Sequence, residues 1–161
     1  MRSSKTEHSR VPDAEAIAGF RDRPGVWLTF AGSAFLILYA ERLLPLSLKP
    51  HWITAMAIIS ERPHVTQSAL ARALRINRAS AMALSVTLED LGYVSREALP
   101  GRKQTALALT DLGEQQLEQG YAIADDLVAA TMGWLDAEAR ASFVNALKRV
   151  TDLASNLPSR T

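Results

Sequence analysis

The chain has no cysteine, and this absence excludes several kinds of chemistry. Disulfides, thiolate nucleophiles and sulfur-ligated metals all require that side chain. The only histidines are His8, His51 and His64, and none has a second histidine or a carboxylate at metal-ligand spacing. The eight glycines are too sparse to form a phosphate-cradling loop, and no serine lies in a nucleophile-elbow pattern. We therefore expect no metal, no cofactor and no enzyme activity.

Net charge is also small, but it is unevenly distributed. The formal total for 161 residues is +1, which by itself argues weakly against a nucleic-acid partner. Residues 61–110 carry seven Lys and Arg against four Asp and Glu, whereas residues 111–161 carry four against eight. Because a local patch rather than the global sum attracts phosphate, the middle of the chain is the candidate nucleic-acid-binding region.

The chain has one long apolar run, at residues 26–40, which Glu41-Arg42 is expected to interrupt. It is shorter than the roughly 20 residues that a membrane span needs, although a membrane anchor stays open as an alternative. A helix that is apolar on every side must be covered on every side, and a partner subunit could do this. Residues 1–10 lack the apolar core of a secretory signal, so the protein is expected to be cytoplasmic. Residues 1–24 are expected to form a partly flexible extension.

Residues 66–110 predict two helices, a tight turn and a hairpin in direct succession. Thr66 can cap the first helix, and the second helix is expected from Asn77 to Leu91, ended by Gly92. A further helix is expected before them, at Ser47–Ser60, with Pro50 in its first turn. The predicted strands are Tyr93–Ala98 and Thr105–Leu109, with Leu99-Pro100-Gly101 forming a turn between them.

The two sides of the second helix differ in chemistry. Leu84, Leu88 and Leu91 recur at helical spacing and are expected to face the core. The opposite side is predicted to carry Arg78, Met82, Ser85 and Glu89. Arg102 and Lys103 directly follow the hairpin turn, so the tip of the hairpin is cationic. Such a hairpin is poorly stable alone and is best placed beside the helix pair as a wing that reaches phosphate or a minor groove.

These residues resemble the winged helix-turn-helix of the MarR (multiple antibiotic resistance regulator) family of transcription factors. The likeness extends less closely to about residues 25–155. The motifs that carry it are Thr66-Gln67 with Leu70-Ala71, Leu88-Glu89-x-Leu91-Gly92-Tyr93-Val94-x-Arg96, and Arg102-Lys103 followed by Leu107-x-Leu109-Thr110-x-x-Gly113.

The expected fold is mainly α with a small β-hairpin wing. Residues 49–110 would form the winged helix-turn-helix domain, and residues 25–48 and 111–157 the helical dimerisation region. Thr110 and Asp136 can cap the two C-terminal helices. Their apolar stripes would bind a second copy across a two-fold axis, as the resemblance also implies; the alternative is that they close the core of a monomer. The stripes are Leu117, Tyr121, Ala124 and Val128, then Phe143, Leu147, Val150 and Leu157.

The resemblance implies a homodimeric, sequence-specific regulator, a repressor that binds a pseudo-palindromic operator in double-stranded DNA. The sequence departs from the family at Met82-Ala83, where Thr-Arg is common, and at Gly101, where aspartate is usual. A winged-helix module that binds nucleic acid or protein without sequence preference therefore stays open, as does a merely solvated cationic surface. The predicted DNA-binding residues are Thr66 and Gln67, then Arg78, Ser80, Met82 and Ser85 at base edges, and Arg96, Arg102 and Lys103 at phosphates.

A small-molecule pocket is also predicted. Trp27 and Phe30 from the first long helix, with His51, Trp52 and Met56 from the next, would give aromatic walls and one titratable group. That combination suits a phenolic or aromatic-acid ligand, and members of the family bind similar compounds. The alternative is that the apolar residues are ordinary core and that His51 is a partly exposed capping residue.

Overall fold

The computed structural model describes residues 22–98 and 105–157, together with Gly19. The predicted extension at residues 1–24 lies almost entirely outside these ranges, and so does the wing tip with Arg102 and Lys103. In the described residues the elements are α1 (Pro24–Leu43), a 3₁₀ turn (Leu44–Leu46), α2 (Pro50–Glu61), β1 (Val65–Thr66), α3 (Gln67–Leu74), α4 (Arg78–Asp90), β2 (Val94–Ala98), β3 (Thr105–Leu109), α5 (Asp111–Met132) and α6 (Ala137–Asn156). The predicted fold class, mainly α with a small wing, is confirmed.

The wing strands belong to a three-stranded antiparallel sheet of order β1-β3-β2. The expected pair is present, with Arg96 opposite Leu107. The third strand was not predicted, because β1 has only two residues and Val65 pairs with the same Leu107. Val65, Val94 and Leu107 are all buried, so the base of the wing is part of the core.

The helices before the wing differ from the prediction at their boundaries. The first helix continues beyond the apolar run through Glu41 and Arg42, whose exposed side chains lie beside the buried Leu43. The next helix begins at Pro50 rather than Ser47, and proline occupies its first turn as expected. Ser47 instead ends the 3₁₀ turn with a φ of 55°, a left-handed conformation that is incompatible with a helix start.

The core lies around α2 and the helix pair α3–α4. A hydrogen bond links α1 to α5: the Tyr39 hydroxyl donates to the Gly120 carbonyl oxygen at 2.9 Å. Burial, with a smaller effect of Tyr121, raises the pKa of Tyr39, so its hydroxyl stays a donor. The core residues are Leu43, Leu48, Trp52, Ile53, Ala55, Met56, Ile59, Val65, Leu70, Leu84, Leu88, Val94, Leu107 and Leu117.

Most of α1 is not covered. Leu43 is its one buried residue, while Trp27, Leu28 and Leu36 are exposed. By length and composition alone, residues 24–46 could cross a membrane, and only 11% of the most apolar window is buried. The same composition fits a helix that a partner covers.

The junction between wing and α5 explains the motif that ends at Gly113. The Gly113 amide donates to the Thr110 hydroxyl oxygen at 3.0 Å, which confirms the predicted cap. The Thr110 hydroxyl donates to the Gly92 carbonyl oxygen, and the Thr110 amide donates to that of Tyr93. A methyl group on Gly113 would collide with the Tyr93 carbonyl, so glycine is required there. Gly92 has a φ of 74° and ends the helix region as predicted.

A second compact unit begins at Asp126 and contains the end of α5 and all of α6. Asp136 caps α6 as predicted, accepting from the Ala139 amide at 2.8 Å. No residue of α6 is buried in the chain. The predicted stripe is therefore present but uncovered, with Phe143, Val150 and Leu157 all exposed.

Candidate nucleic-acid interface

The first helix of the pair, α3, begins as the sequence predicts. The Thr66 hydroxyl oxygen accepts from the Ala69 amide at 3.3 Å, so this side chain caps the helix. Gln67 is half-buried, and its Nε2 atom is buried without a hydrogen-bond partner in the described part of the chain. Both residues were predicted to bind DNA; the structure assigns Thr66 a local role and leaves Gln67 as a DNA-binding prediction.

The turn between α3 and α4 contains no glycine. Arg75 itself adopts the left-handed conformation, with a φ of 55°. Asn77 then caps α4, because its Oδ1 accepts from the Ser80 amide at 2.8 Å. The predicted turn at residues 75–77 is thereby confirmed, and it delivers Arg78 to the first position of α4.

The orientation of α4 decides which side chains a nucleic acid could meet. Arg78, Ser80 and Met82 are exposed, as predicted, with Met82 at 58% exposure. Ser85 is not available to a base edge: its side chain is buried, and its hydroxyl donates to the Ala81 carbonyl oxygen at 2.8 Å. The prediction for Ser85 was wrong because this position shares the core face with its helix neighbours Leu84 and Leu88.

Leu91 was predicted to face the core, and this was also wrong. It is 39% exposed, although its backbone is still helical and its amide donates to the Thr87 carbonyl oxygen at 3.1 Å. The helix itself ends at Asp90, one residue before the predicted end.

Arg96 is held by an acidic partner. Its Nε donates to both oxygens of Glu89, at 3.1 and 2.9 Å. The pair joins β2 to α4 and is partly exposed, with side-chain exposures of 31% and 37%. Sequence reasoning quoted both residues in one motif but missed their pairing. The pair links the wing to α4, and the phosphate contact of Arg96 stays a prediction.

A cleft of about 630 Å³ lies between α2 and the α3–α4 pair. His51 and Trp52 line it and stay predicted ligand residues, although Trp52 also belongs to the core. Met56 has no exposure and is ordinary core, which confirms the alternative for that residue. The complete lining is Lys49, His51, Trp52, Thr54, Leu74, Ile76, Ser80, Ala83, Leu84 and Thr87.

Trp27 and Phe30 do not line this cleft. Tyr39 and Leu43, at the C-terminal end of α1, join or border the core. Phe30 lies thirteen residues before Leu43, which is about 20 Å along a helix. The predicted aromatic set is therefore divided, and its two α1 residues lie on an uncovered part of that helix.

The cleft has one well-placed cation. The Lys49 ammonium lies 4.8 Å from the centre of the Trp52 ring, and the His51 ring meets the same indole edge-on. Partial burial, and to a lesser degree Lys49, lowers the pKa of His51. At neutral pH the histidine is therefore uncharged and Lys49 supplies the positive charge of this wall.

Residues 46–104 match the sequence profile of the MarR family. This stretch is similar to the winged helix-turn-helix of that family. The match runs from the 3₁₀ turn through the helix pair and into the wing. A comparison with curated proteins finds no match.

Solved structures show that the likeness to MarR proteins extends to the fold of most of the chain. CouR from Rhodococcus jostii RHA1, bound to p-coumaroyl-CoA, is 19% identical and has a TM-score of 0.72. The alignment covers 87% of this chain and 96% of the CouR chain. Apo MarR from E. coli is 23% identical, with 78% and 95% covered and a TM-score of 0.67. The Mycobacterium tuberculosis MarR family protein Rv2887 with p-aminosalicylic acid is 23% identical, with 79% and 97% covered and a TM-score of 0.64.

The lowered pKa of His51 makes a prediction about stability. In the folded chain the pKa of His51 lies below its ordinary value of 6.5, so the folded state binds this proton less readily than the unfolded state does. Stability is therefore expected to fall as the pH drops through that value, and to level off below the folded pKa. Chemical denaturation from about pH 7.5 to 5.5 should show a smaller loss for His51→Gln than for the wild type. Parallel pH profiles for the two proteins would contradict this account.

Proposed function

We propose that the protein is a homodimeric, sequence-specific DNA-binding regulator of transcription, acting as a repressor in the cytoplasm. The observation that carries the proposal is the outward face of α4, which begins with Arg78 on a MarR-family helix pair. Helix-turn-helix proteins insert the second helix into the major groove, with its N-terminal residues nearest the bases. Here that part carries Arg78, Ser80 and Met82, all of them exposed.

The wing complements this helix. Strands β2 and β3 lead towards Arg102 and Lys103, which we expect to contact phosphate beside a minor groove. The Glu89–Arg96 pair holds β2 against α4, so the wing approaches DNA at a fixed position relative to the major-groove helix. Arg96 thus contributes to the orientation of the wing.

A module that binds nucleic acid without sequence preference is the second candidate, and the apolar Met82-Ala83 pair favours it. Selection of bound sequences from a random duplex pool separates the two. Convergence on a two-fold symmetric sequence supports the regulator, whereas retention of the whole pool supports the non-specific module.

Arg102→Ala should weaken DNA binding and make its salt dependence shallower, because Arg102 is expected to contact phosphate. Each phosphate contact contributes about 0.9 to the slope of log K against log salt, so one lost contact reduces the slope by about that amount. Arg78→Ala should instead weaken binding to the selected sequence by about 1–3 kcal/mol and relax the sequence preference, because Arg78 is expected at a base edge. The matched control is Arg140→Ala, which removes an exposed arginine of the second unit. Fluorescence anisotropy over a salt series, on selected and random duplexes, measures both effects; an Arg78→Ala protein with wild-type affinity and preference would refute the α4 assignment.

We propose that dimerisation occurs through the terminal helices. The uncovered apolar residues of α1 and the exposed stripe of α6 each require cover, and a second copy supplies it. Two-fold symmetry of such a dimer would present two α4 helices to half-sites about one helical turn apart. The uneven charge supports this arrangement, since the cationic region lies in the winged helix and the acids in residues 111–161.

Val150→Glu should shift the protein from dimer to monomer, because it places a charge within the exposed stripe of α6. Asn145→Glu is the control, since position 145 lies on the opposite side of the same helix. Sedimentation velocity over a concentration series measures the shift. If both variants sediment as the wild type does, α6 is not an interface.

We further propose that a small aromatic acid binds the cleft between α2 and α4. Lys49 would pair with the carboxylate, and the Trp52 ring would pack against the aromatic group. One solved relative is bound to p-aminosalicylic acid, which supports this ligand class, and another is bound to p-coumaroyl-CoA, which shares the phenolic group but carries a thioester in place of the carboxylate. Ser80, Ala83 and Thr87 bring the cleft to the flank of α4, so the ligand would act by favouring a position of α4 that fits DNA less well.

Lys49→Ala should weaken binding of p-aminosalicylate about tenfold, because a charge-assisted contact is lost. Lys148→Ala removes an exposed lysine of α6 and should leave the affinity unchanged. Titration calorimetry on the full chain gives both affinities. Equal affinities for Lys49→Ala and the wild type would exclude the cleft as the aromatic-acid site.

A further inference from the structure

The outward face of α4 is made largely of methyl-bearing side chains. Ala79, Met82, Ala83 and Val86 follow the spacing i, i+3, i+4 and i+7, so they share one side of the helix. All four are exposed, with Val86 at 37%. This side lies opposite the buried face of Ala81, Leu84, Ser85 and Leu88. Packing of the helix pair therefore directs an apolar strip outwards.

The polar groups of α4 lie beside this strip rather than within it. Arg78 lies at the first position of the helix, and Ser80 lines the cleft on one flank. Glu89 lies on the other flank, and its carboxylate accepts a hydrogen bond from Arg96. The central part of the strip consequently presents no side-chain donor or acceptor to a base edge.

The major groove offers one prominent apolar group, which is the C5-methyl of thymine. Two alanines let the helix approach base edges closely, and an unbranched methionine can adapt its shape to the groove. The strip begins directly after Arg78 in the N-terminal half of α4, the part that enters the groove in helix-turn-helix proteins. Asp90 lies at the far C-terminal end, where the helix would leave the DNA.

We infer that α4 recognises its DNA chiefly through thymine methyl groups, which contact Met82 together with Ala79, Ala83 and Val86. The inference rests on the proposed function and adds the chemistry by which the bases are distinguished. Half-sites should therefore place thymines at the positions beneath Met82 and Val86. Arg78 adds a polar contact at the edge of each half-site.

Deoxyuridine tests the inference, because it pairs as thymidine does but lacks the C5-methyl group. The probe is the tightest-binding duplex recovered from a random pool, prepared once with thymidine and once with deoxyuridine at the half-site positions. The wild-type protein should bind the second about fourfold more weakly for each contacted methyl that is lost. Met82→Ala should bind the thymidine duplex more weakly and show a smaller ratio, whereas Met82→Leu should retain most of the wild-type ratio.

The outcomes separate this inference from the proposed function. Sequence-selective binding with equal affinity for the two duplexes overturns methyl recognition and leaves the regulator intact. A ratio unchanged by Met82→Ala assigns the methyl contact to other residues and likewise overturns the inference. A pool that does not converge contradicts the sequence-specific regulator, and the inference fails with it. Circular dichroism of the Met82 variants checks that α4 remains folded.

Discussion

The packing of Leu84 and Leu88 against the core fixes the rotation of α4 about its own axis. Leu88 has no exposure and Leu84 only 9%, and burial of one leucine side chain stabilises a fold by about 1.5–3 kcal/mol. Because successive residues lie 100° apart, rotation by one position would expose these leucines and turn other side chains inwards. The availability of Arg78 and Met82 is thus a consequence of hydrophobic burial on the other side of the helix.

Local signals were sufficient for most of the winged helix. The caps at Thr66, Thr110 and Asp136 and the glycine at 92 each act within a few residues, and their hydrogen bonds or dihedral angles appear as expected. Two-residue β1 carries no periodic signal and was missed. The end of α4 was placed one residue late, and Leu91 was placed on the wrong side.

Predictions that depended on distant packing fared less well. Ser85 was predicted to be exposed because it is polar. Its hydroxyl instead donates to the Ala81 carbonyl oxygen, so the side chain can be buried at little cost. Trp27 and Phe30 were grouped with α2 because they are aromatic, but only the C-terminal end of α1 joins the core. The pairing of Arg96 with Glu89 was missed, because sequence alone does not show that β2 brings the two side chains together.

The backbone at Gly113 lies so close to Tyr93 that no side chain fits between them, and this holds the start of α5 against the wing. The wing base and the first turn of α5 are in direct backbone contact through Tyr93 and Thr110, so neither can slide past the other. Because α5 has 22 residues, it extends about 33 Å from that contact. Because the first turn of α5 touches the backbone at the root of the hairpin, a change in the tilt of that turn would displace the root of the hairpin as well.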